Sequence, residues 1–406
     1  MRIKPSWLAT IYDNSSQISL SNPSNREILK SHTTKLLRPI AMHPPLSADL
    51  YRDPHAVQRL ADTIAATLKH PISIMEVCGG QTHALARYGI EELLPHELRL
   101  IHGPGCPVCV TPISIIDLAL DLARRPNIIL CSYGDMLRVP GTSESLLSVK
   151  AHGGDIRTLY SPTDAVTLAQ NTPDKEIVFF AVGFETTAPA SALAVTMAKR
   201  LGLTNFSLLV AHVVVPPVLD LLLSTDTRPD ALLAPGHVCA ITGESEYAQL
   251  ATTHQIPIAI TGFEPIDLMR GILSCVIQLE NGTHHLKNEY ARVVHPDGNP
   301  TAATLMTQIF TPVDRIWRGL GLIPHGGMDL RPAFHDFDAI IKLGLSPATH
   351  PEPDSPCRAG DILRGICPPD QCPAFGTTCT PLCPLGAPMV SSEGACAAYY
   401  RYKRHS

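Results

Sequence analysis

Basic charge is scarce in this 406-residue chain, where lysine and arginine total 32 against 37 acidic residues and charged residues make up 17%. Phosphate recognition needs a concentrated positive field, so nucleic acid is excluded as an expected partner. Long apolar runs are missing too. None approaches the ~20 residues that cross a bilayer, and the opening MRIKPSWLATIYDNSSQISL holds no continuous apolar signal core. The expectation is a cytoplasmic protein with no membrane partner. In a reducing cytosol the 12 cysteines do not read as a disulfide framework, which leaves metal binding or thiol chemistry.

Apolar side chains are plentiful. Hydrophobic residues make up 45% of the chain, so burial is not limiting, and the length suits two or three domains. Residues 1–45, rich in Ser, Asn and Thr without sustained periodicity, read as an N-terminal arm. Val57, Leu60, Ala61, Ile64 and Leu68 trace a helical stripe, and ISIMEV at 72–77 then reads as a buried strand. The runs NIILC, EIVFFAVG, FSLLVAH, DALLAP and PIAITG alternate with amphipathic stretches such as ISIIDLALDLARR. This alternation predicts an α/β fold with two parallel-sheet α/β domains, at 46–165 and 166–265, each sheet covered by helices on both faces. A long helix over IDLMRGILSCVIQLENG and a Pro- and Cys-rich tail complete a smaller third domain at 266–406.

Unusual residues follow the apolar runs: Cys78-Gly79-Gly80, Cys131 to Asp135, and Gly183 to Thr187. In open parallel sheets ligands bind at the carboxyl ends of strands, where loops gather and helix N-termini offer free N–H groups. The tail holds Cys357, Cys367, Cys372, Cys379, Cys383 and Cys396 among prolines that forbid long helices or strands. A metal site with four thiolates would cross-link such a segment and contribute folding free energy. Zinc and an iron–sulfur cluster both accept four thiolates. The gaps of four, six and sixteen residues between Cys367, Cys372, Cys379 and Cys396 favour a cluster over paired zinc knuckles. Cys357 and Cys383 remain substitutes within the four, and buried free thiols are the plainer alternative.

GPGCPVC, residues 103–109, is a Cys-x-x-Cys held by prolines and glycines. A helix beginning at Thr111 or Pro112 is expected to lower the pKa of Cys109 through its dipole. Cys106 and Cys109 read as a dithiol that opens and closes, or as half a zinc site that lacks a second Cys pair nearby. Cys78 follows a strand and precedes a helix expected near Thr82, which exposes its sulfur at the ligand-binding edge. Together with His83 it makes a thiolate–imidazole set suited to iron, although both residue types also serve as packing. His102, His212 and His237 read as hydrogen-bonded core histidines.

The motifs MEVCGGQTHALARYGIEELLP, IHGPGCPVCVTP, CSYGDMLRVPG, FFAVGFETTAP, APGHVCAITG, GFEPIDLMRGI and MVSSEGACAAYYRY resemble those of the HypD family, maturation factors of [NiFe] hydrogenases, from about residue 50 to 402. The resemblance implies a scaffold that assembles an iron centre carrying two cyanides and one carbon monoxide. It also implies two partners, a HypC-type small chaperone whose N-terminal cysteine shares the iron and a HypE-type cyanide donor loaded by HypF. The hydrogenase large subunit receives the product. By motif match Cys78 would bind iron, Cys106 and Cys109 would be the redox pair, and Cys367, Cys372, Cys379 and Cys396 would hold a [4Fe-4S] cluster in the third domain. One position departs. The family usually reads CGGHTH, and Gln81 stands where the first histidine would be, which leaves His83 as the imidazole there.

Electrons are expected to pass among the cluster, the dithiol and the incoming ligands, with Glu185, Asp135 and His237 as candidate proton shuttles by position. Two rivals are a stand-alone cluster-dependent thiol–disulfide reductase and a zinc-stapled interaction scaffold.

Overall fold

The strands of the described residues belong to two sheets whose members interleave along the sequence. In the computed structural model, which describes residues 48–346 and 355–403, the chain from Tyr51 onward belongs to one compact unit. The arm expected over residues 1–45 lies outside the described residues. The strands, in chain order, are β1 (Ile72–Glu76), β2 (Leu98–His102), β3 (Ile128–Ser132), β4 (Ile156–Thr158), β5 (Glu176–Gly183), β6 (Phe206–Val213), β7 (Ala231–Pro235), β8 (Ile258–Thr261), β9 (Leu286–Asn288), β10 (Phe310–Trp317) and β11 (Gly321–Leu330).

The first sheet runs β2-β1-β7-β8-β9 and is parallel throughout. The second runs β10-β11-β6-β5-β3-β4, parallel from β6 to β4, with the antiparallel hairpin β10–β11 added beside β6. Every residue of β3 and β6 is buried, as a parallel strand covered on both faces requires. Along β10 half-buried and exposed residues alternate between buried ends, the pattern of a sheet edge.

The α/β expectation therefore holds, and the expected boundaries do not. A cut at 165/166 falls between β4 and β5, two strands of the same sheet, while β7 and β8 rejoin β1 in the other. Residues 266–406 are not a separate domain either. The helix Pro265–Glu280 packs Ile266, Met269 and Ile272 against Ile74, Leu233 and Ala259 of the first sheet, and the hairpin extends the second. Hydrophobic runs identify strands, but a parallel neighbour can come from any later point in the chain.

A shared core explains the single unit. Met75, Leu232 and Ile260 of the first sheet lie in one apolar cluster with Val213, Trp317 and Ile323 of the second. Each such side chain contributes about 1.5–3 kcal/mol when buried. Losing this layer would outweigh the ~5–15 kcal/mol by which a domain is stable.

Candidate functional site

Because β1 and β2 are adjacent and parallel, with Glu76 opposite His102, their carboxyl ends release two thiol-bearing loops side by side. The Cys78 N–H donates to Glu76 Oε2 at 3.0 Å. The Gly103 N–H donates to the Glu76 carbonyl at 2.8 Å, and the Gly79 N–H donates to the Gly105 carbonyl at 2.7 Å. A Cβ on Gly105 would stand 2.3 Å from the Cys78 nitrogen and 2.4 Å from its Cα, so only glycine permits this approach. Gly105→Ala is expected to lower stability by about 1–3 kcal/mol, read as an earlier urea midpoint; an unchanged midpoint would refute the close approach.

Cys78 is half-buried and N-caps the helix Gly79–Arg87 with extended backbone and no side-chain capping bond. Its thiol is pushed up to about 12, first by burial and then by the Glu393 and Glu76 carboxylates, against the pull of the Gly80 and Gln81 backbone N–H groups. The C-terminal segment reaches this helix: a Cβ on Gly79 would lie 2.5 Å from the Glu393 carbonyl oxygen.

Cys106 N-caps a short helix, Pro107–Val110, and its Sγ accepts the Cys109 N–H at 3.3 Å. Both cysteines are free and buried, at 3% and 1% exposure. The expected lowering of the Cys109 pKa is overturned. Burial pushes that thiol well up, and Cys106, Cys396 and Glu393 add to the rise in that order. The helix expected from Thr111 or Pro112 is N-capped by Pro112 and runs from Ile113, and Cys109 lies before it, inside the short helix Pro107–Val110. Loss of hydration outweighs the helix dipole here.

Gln81 is fully buried and bridges the sheet, with Nε2 donating to the Ala234 carbonyl at 3.0 Å and to Thr261 Oγ1 at 2.6 Å. His83 turns to the C-terminal segment. Its Nδ1 lies 3.1 Å from the Ser392 carbonyl and its Nε2 lies 3.2 Å from the Tyr402 hydroxyl. A carbonyl only accepts, so Nδ1 donates to Ser392.

Of the tail cysteines, Cys367, Cys379 and Cys396 are buried and Cys372 is half-buried, all in one small cluster with Ile362, Ala374 and Met389. Cys383 is exposed. Cys357 approaches the group: its Sγ would sit 2.4 Å from a Cβ on Gly386, next to Leu385, whose N–H donates to Cys379 Sγ at 3.4 Å. Burial pushes the Cys396 thiol well up, and Cys357, Cys379, Cys372 and Cys367 add to the rise in that order. Among the described residues no three His, Cys, Asp or Glu side chains are arranged to hold a metal ion. The same all-sulfur donor set serves a structural zinc ion, which takes four thiolates. A multi-iron cluster spreads its thiolates more widely, and a sulfur-only donor set suits it.

Positional reasoning named Glu185 but missed its setting. It is 3% exposed; its Oε1 accepts the Val215 N–H at 3.0 Å and its Oε2 has no partner among the described residues. Burial raises its pKa to about 7. The hydroxyl of Tyr247, also fully buried, lacks a partner among the described residues as well. Nothing in the local sequence signals this, since Tyr247 comes from a helix, Ser245–His254, distant in the chain. His237 stacks on Phe263 with ring centroids 4.0 Å apart, and Asp135 pairs with Arg138 at 3.2 Å.

Two interleaved α/β sheets that carry a strand-edge cysteine, a buried Cys-x-x-Cys and a cysteine-packed tail define an α/β protein with clustered thiols, and no helix among the described residues is long and apolar enough to cross a membrane. The family described as HypD, hydrogenase formation hypA family, matches residues 55–403. The chain is 46% identical over 366 residues to the hydrogenase expression/formation protein HupD of Azotobacter chroococcum, covering 88% of this chain and 96% of that one. It is 46% identical over 366 residues to the hydrogenase maturation factor HypD of Azotobacter vinelandii, with the same coverage of 88% and 96%. Identity to the Escherichia coli hydrogenase maturation factor HypD is 43% over 366 residues, or 88% of this chain and 98% of that one. The chain belongs to the HypD family of hydrogenase maturation factors.

Proposed function

We propose that this protein is the cytoplasmic scaffold on which, with a HypC-type small chaperone, the iron centre bearing two cyanides and one carbon monoxide is assembled for the hydrogenase large subunit. The observation that carries the reading is the pairing of β1 with β2, which lays the Cys78 loop against residues 103–106 while Cys396 stands in electrostatic reach of Cys109. One iron, the cargo, binds the Cys78 thiolate, and a soft donor keeps it electron-rich enough to hold cyanide and carbon monoxide. Glu76 fixes the Cys78 amide and so the direction of its side chain. Cys106 and Cys109 store reducing equivalents: closing their disulfide releases two electrons and two protons, and reopening it consumes them.

Four of the tail thiols, Cys367, Cys372, Cys379 and Cys396, with Cys357 as the competing fifth, hold a [4Fe-4S] cluster. When bound, that cluster supplies electrons singly at low potential. A HypE-type protein delivers cyanide to the exposed edge. The stand-alone reductase is disfavoured, because Cys106 and Cys109 at 3% and 1% exposure are closed to a diffusing disulfide. The test is anaerobic co-purification with the chaperone, followed by Mössbauer and infrared spectroscopy. Bound cyanide and carbon monoxide absorb where protein does not, and a complex without those bands or without cluster iron would overturn the reading.

A further inference from the structure

His102 closes β2 at 4% exposure and carries a hydrogen-bond partner at each ring nitrogen. Nδ1 lies 2.8 Å from Glu76 Oε1. Nε2 lies 3.0 Å from Glu91 Oε1 and 3.1 Å from the Tyr399 hydroxyl. The Tyr399 ring stands edge-on to the imidazole at 5.2 Å between centroids.

The set continues at both ends. Glu76, fully buried, accepts the Cys78 N–H at 3.0 Å through its other oxygen and also accepts the Thr82 hydroxyl. Glu91, on the turn Ile90–Leu93, accepts the Tyr399 hydroxyl at 3.3 Å and pairs with Lys403. Burial works against a charged His102, but the bonds to Glu76 and Glu91 outweigh it and push the ring up to about 9. The geometry sets an imidazole between two acidic side chains at the sheet end. Cysteine ligation needs none of these groups, and apolar packing could fill the space at lower desolvation cost.

The elements joined are informative. Tyr399 lies on the helix Ala395–Tyr402, one turn beyond Cys396, so both residues ride on the same rigid body. Glu76 leads directly to Cys78. A cleft of about 390 Å³ opens beside the bridge and is lined by Glu91, His102, Tyr399 and Lys403 together with Cys367. The bridge thus meets the Cys78 loop through Glu76 and the surroundings of the tail thiols through Tyr399.

We propose that His102 is a positioning residue that couples the two thiol sites, holding the C-terminal helix and Cys396 against the loop that presents Cys78 through the chain Tyr399–His102–Glu76. The proposal rests on the iron and cluster sites of the preceding reading. Partners that orient a metal ligand change metal affinity by about 10–100-fold when removed. Loosening Tyr399 reaches Cys78 through His102 and Glu76.

The experiment uses the full-length, anaerobically reconstituted protein and titrates it with ferrous iron alone, with Cys78→Ala as the baseline and visible absorption reporting the tail cluster. Tyr399→Phe removes one oxygen and keeps the ring, so it folds even if a His102 variant does not. It is expected to weaken iron binding about tenfold with the cluster content unchanged. His102→Ala is expected to weaken binding at least as much, and the double variant no further, because both act through one chain. His102→Gln, which keeps a donor toward Glu91 and Tyr399, is expected to recover part of the loss. Amide hydrogen exchange should rise together at residues 76–82 and 395–402 in Tyr399→Phe, a readout that needs no iron. Wild-type iron affinity in Tyr399→Phe, additive losses in the double variant, or faster exchange confined to the tail would each overturn the coupling. Wild-type protein that binds no iron sinks the scaffold reading instead and leaves the exchange result to decide this one.

Discussion

Cys78→Ala is expected to reduce hydrogenase maturation to background while leaving the protein folded. Cys78 contributes no side-chain capping bond to the helix Gly79–Arg87, and its N–H still reaches Glu76 in the variant, so truncation removes a half-buried sulfur and little else. A stability loss of about 1 kcal/mol is the scale for such a change. The functional loss is of another order, since among the described residues no other half-buried thiol stands at that strand end: Cys106 and Cys109 are closed in. Cys78→Ser sharpens the test. A hydroxyl preserves shape but is a hard donor of very high pKa, and it should fail almost as completely as alanine. Hydrogenase activity in cells lacking their own maturation factor, beside urea unfolding of each purified variant, separates the two effects. Maturation by Cys78→Ala at more than a few per cent of wild type would end the iron-scaffold assignment.

Glu185→Gln is expected to remove about 3 kcal/mol of pH dependence from the unfolding free energy. The Glu185 carboxyl is raised from an ordinary 4.5 to about 7 by burial. Below pH 4.5 both folded and unfolded states hold its proton and its contribution is fully present. As pH rises, the unfolded chain releases the proton first. Stability then falls until pH passes 7, where the folded protein must also ionise a carboxylate whose Oε2 has no partner among the described residues. His212 acts in the opposite direction. Burial lowers it to about 4, so its contribution is present above 6.5 and lost as pH falls through 4. Comparing the variant with wild type at each pH cancels His212 and isolates Glu185. The substituted glutamine side chain keeps an acceptor for the Val215 N–H and places its amide where Oε2 was, an offset that does not vary across this range. Urea midpoints between pH 4 and 8 supply the measurement, and parallel profiles would show that Glu185 is already solvated.

Local pattern determined the pieces. EIVFFAVG is β5 residue for residue, Val57 to Leu68 anticipates the helix Pro54–Thr67, and the strand-end positions of Cys78 and the Cys106 loop follow from where apolar runs stop and glycines begin. Helix and strand periodicity depend on neighbours within a few residues, so sequence carries them. The motifs that resemble the HypD family are likewise contiguous, and the family assignment holds.

Tertiary structure decided the rest, because the deciding interactions join distant residues. Membership of β1 and β7 in one sheet, 157 positions apart at the Ser73–Asp230 contact, has no local signature. Nor has the burial that makes Cys109 a poor acid rather than a dipole-activated one, since Cys396 and Glu393 help to set it. Cys357 drew near Cys396 only once the tail folded back on itself. His102 looked like any core histidine until Tyr399, 297 positions on, closed its bridge. Periodicity is a short-range property of the chain, whereas desolvation and charge pairing are set by whatever the fold brings close.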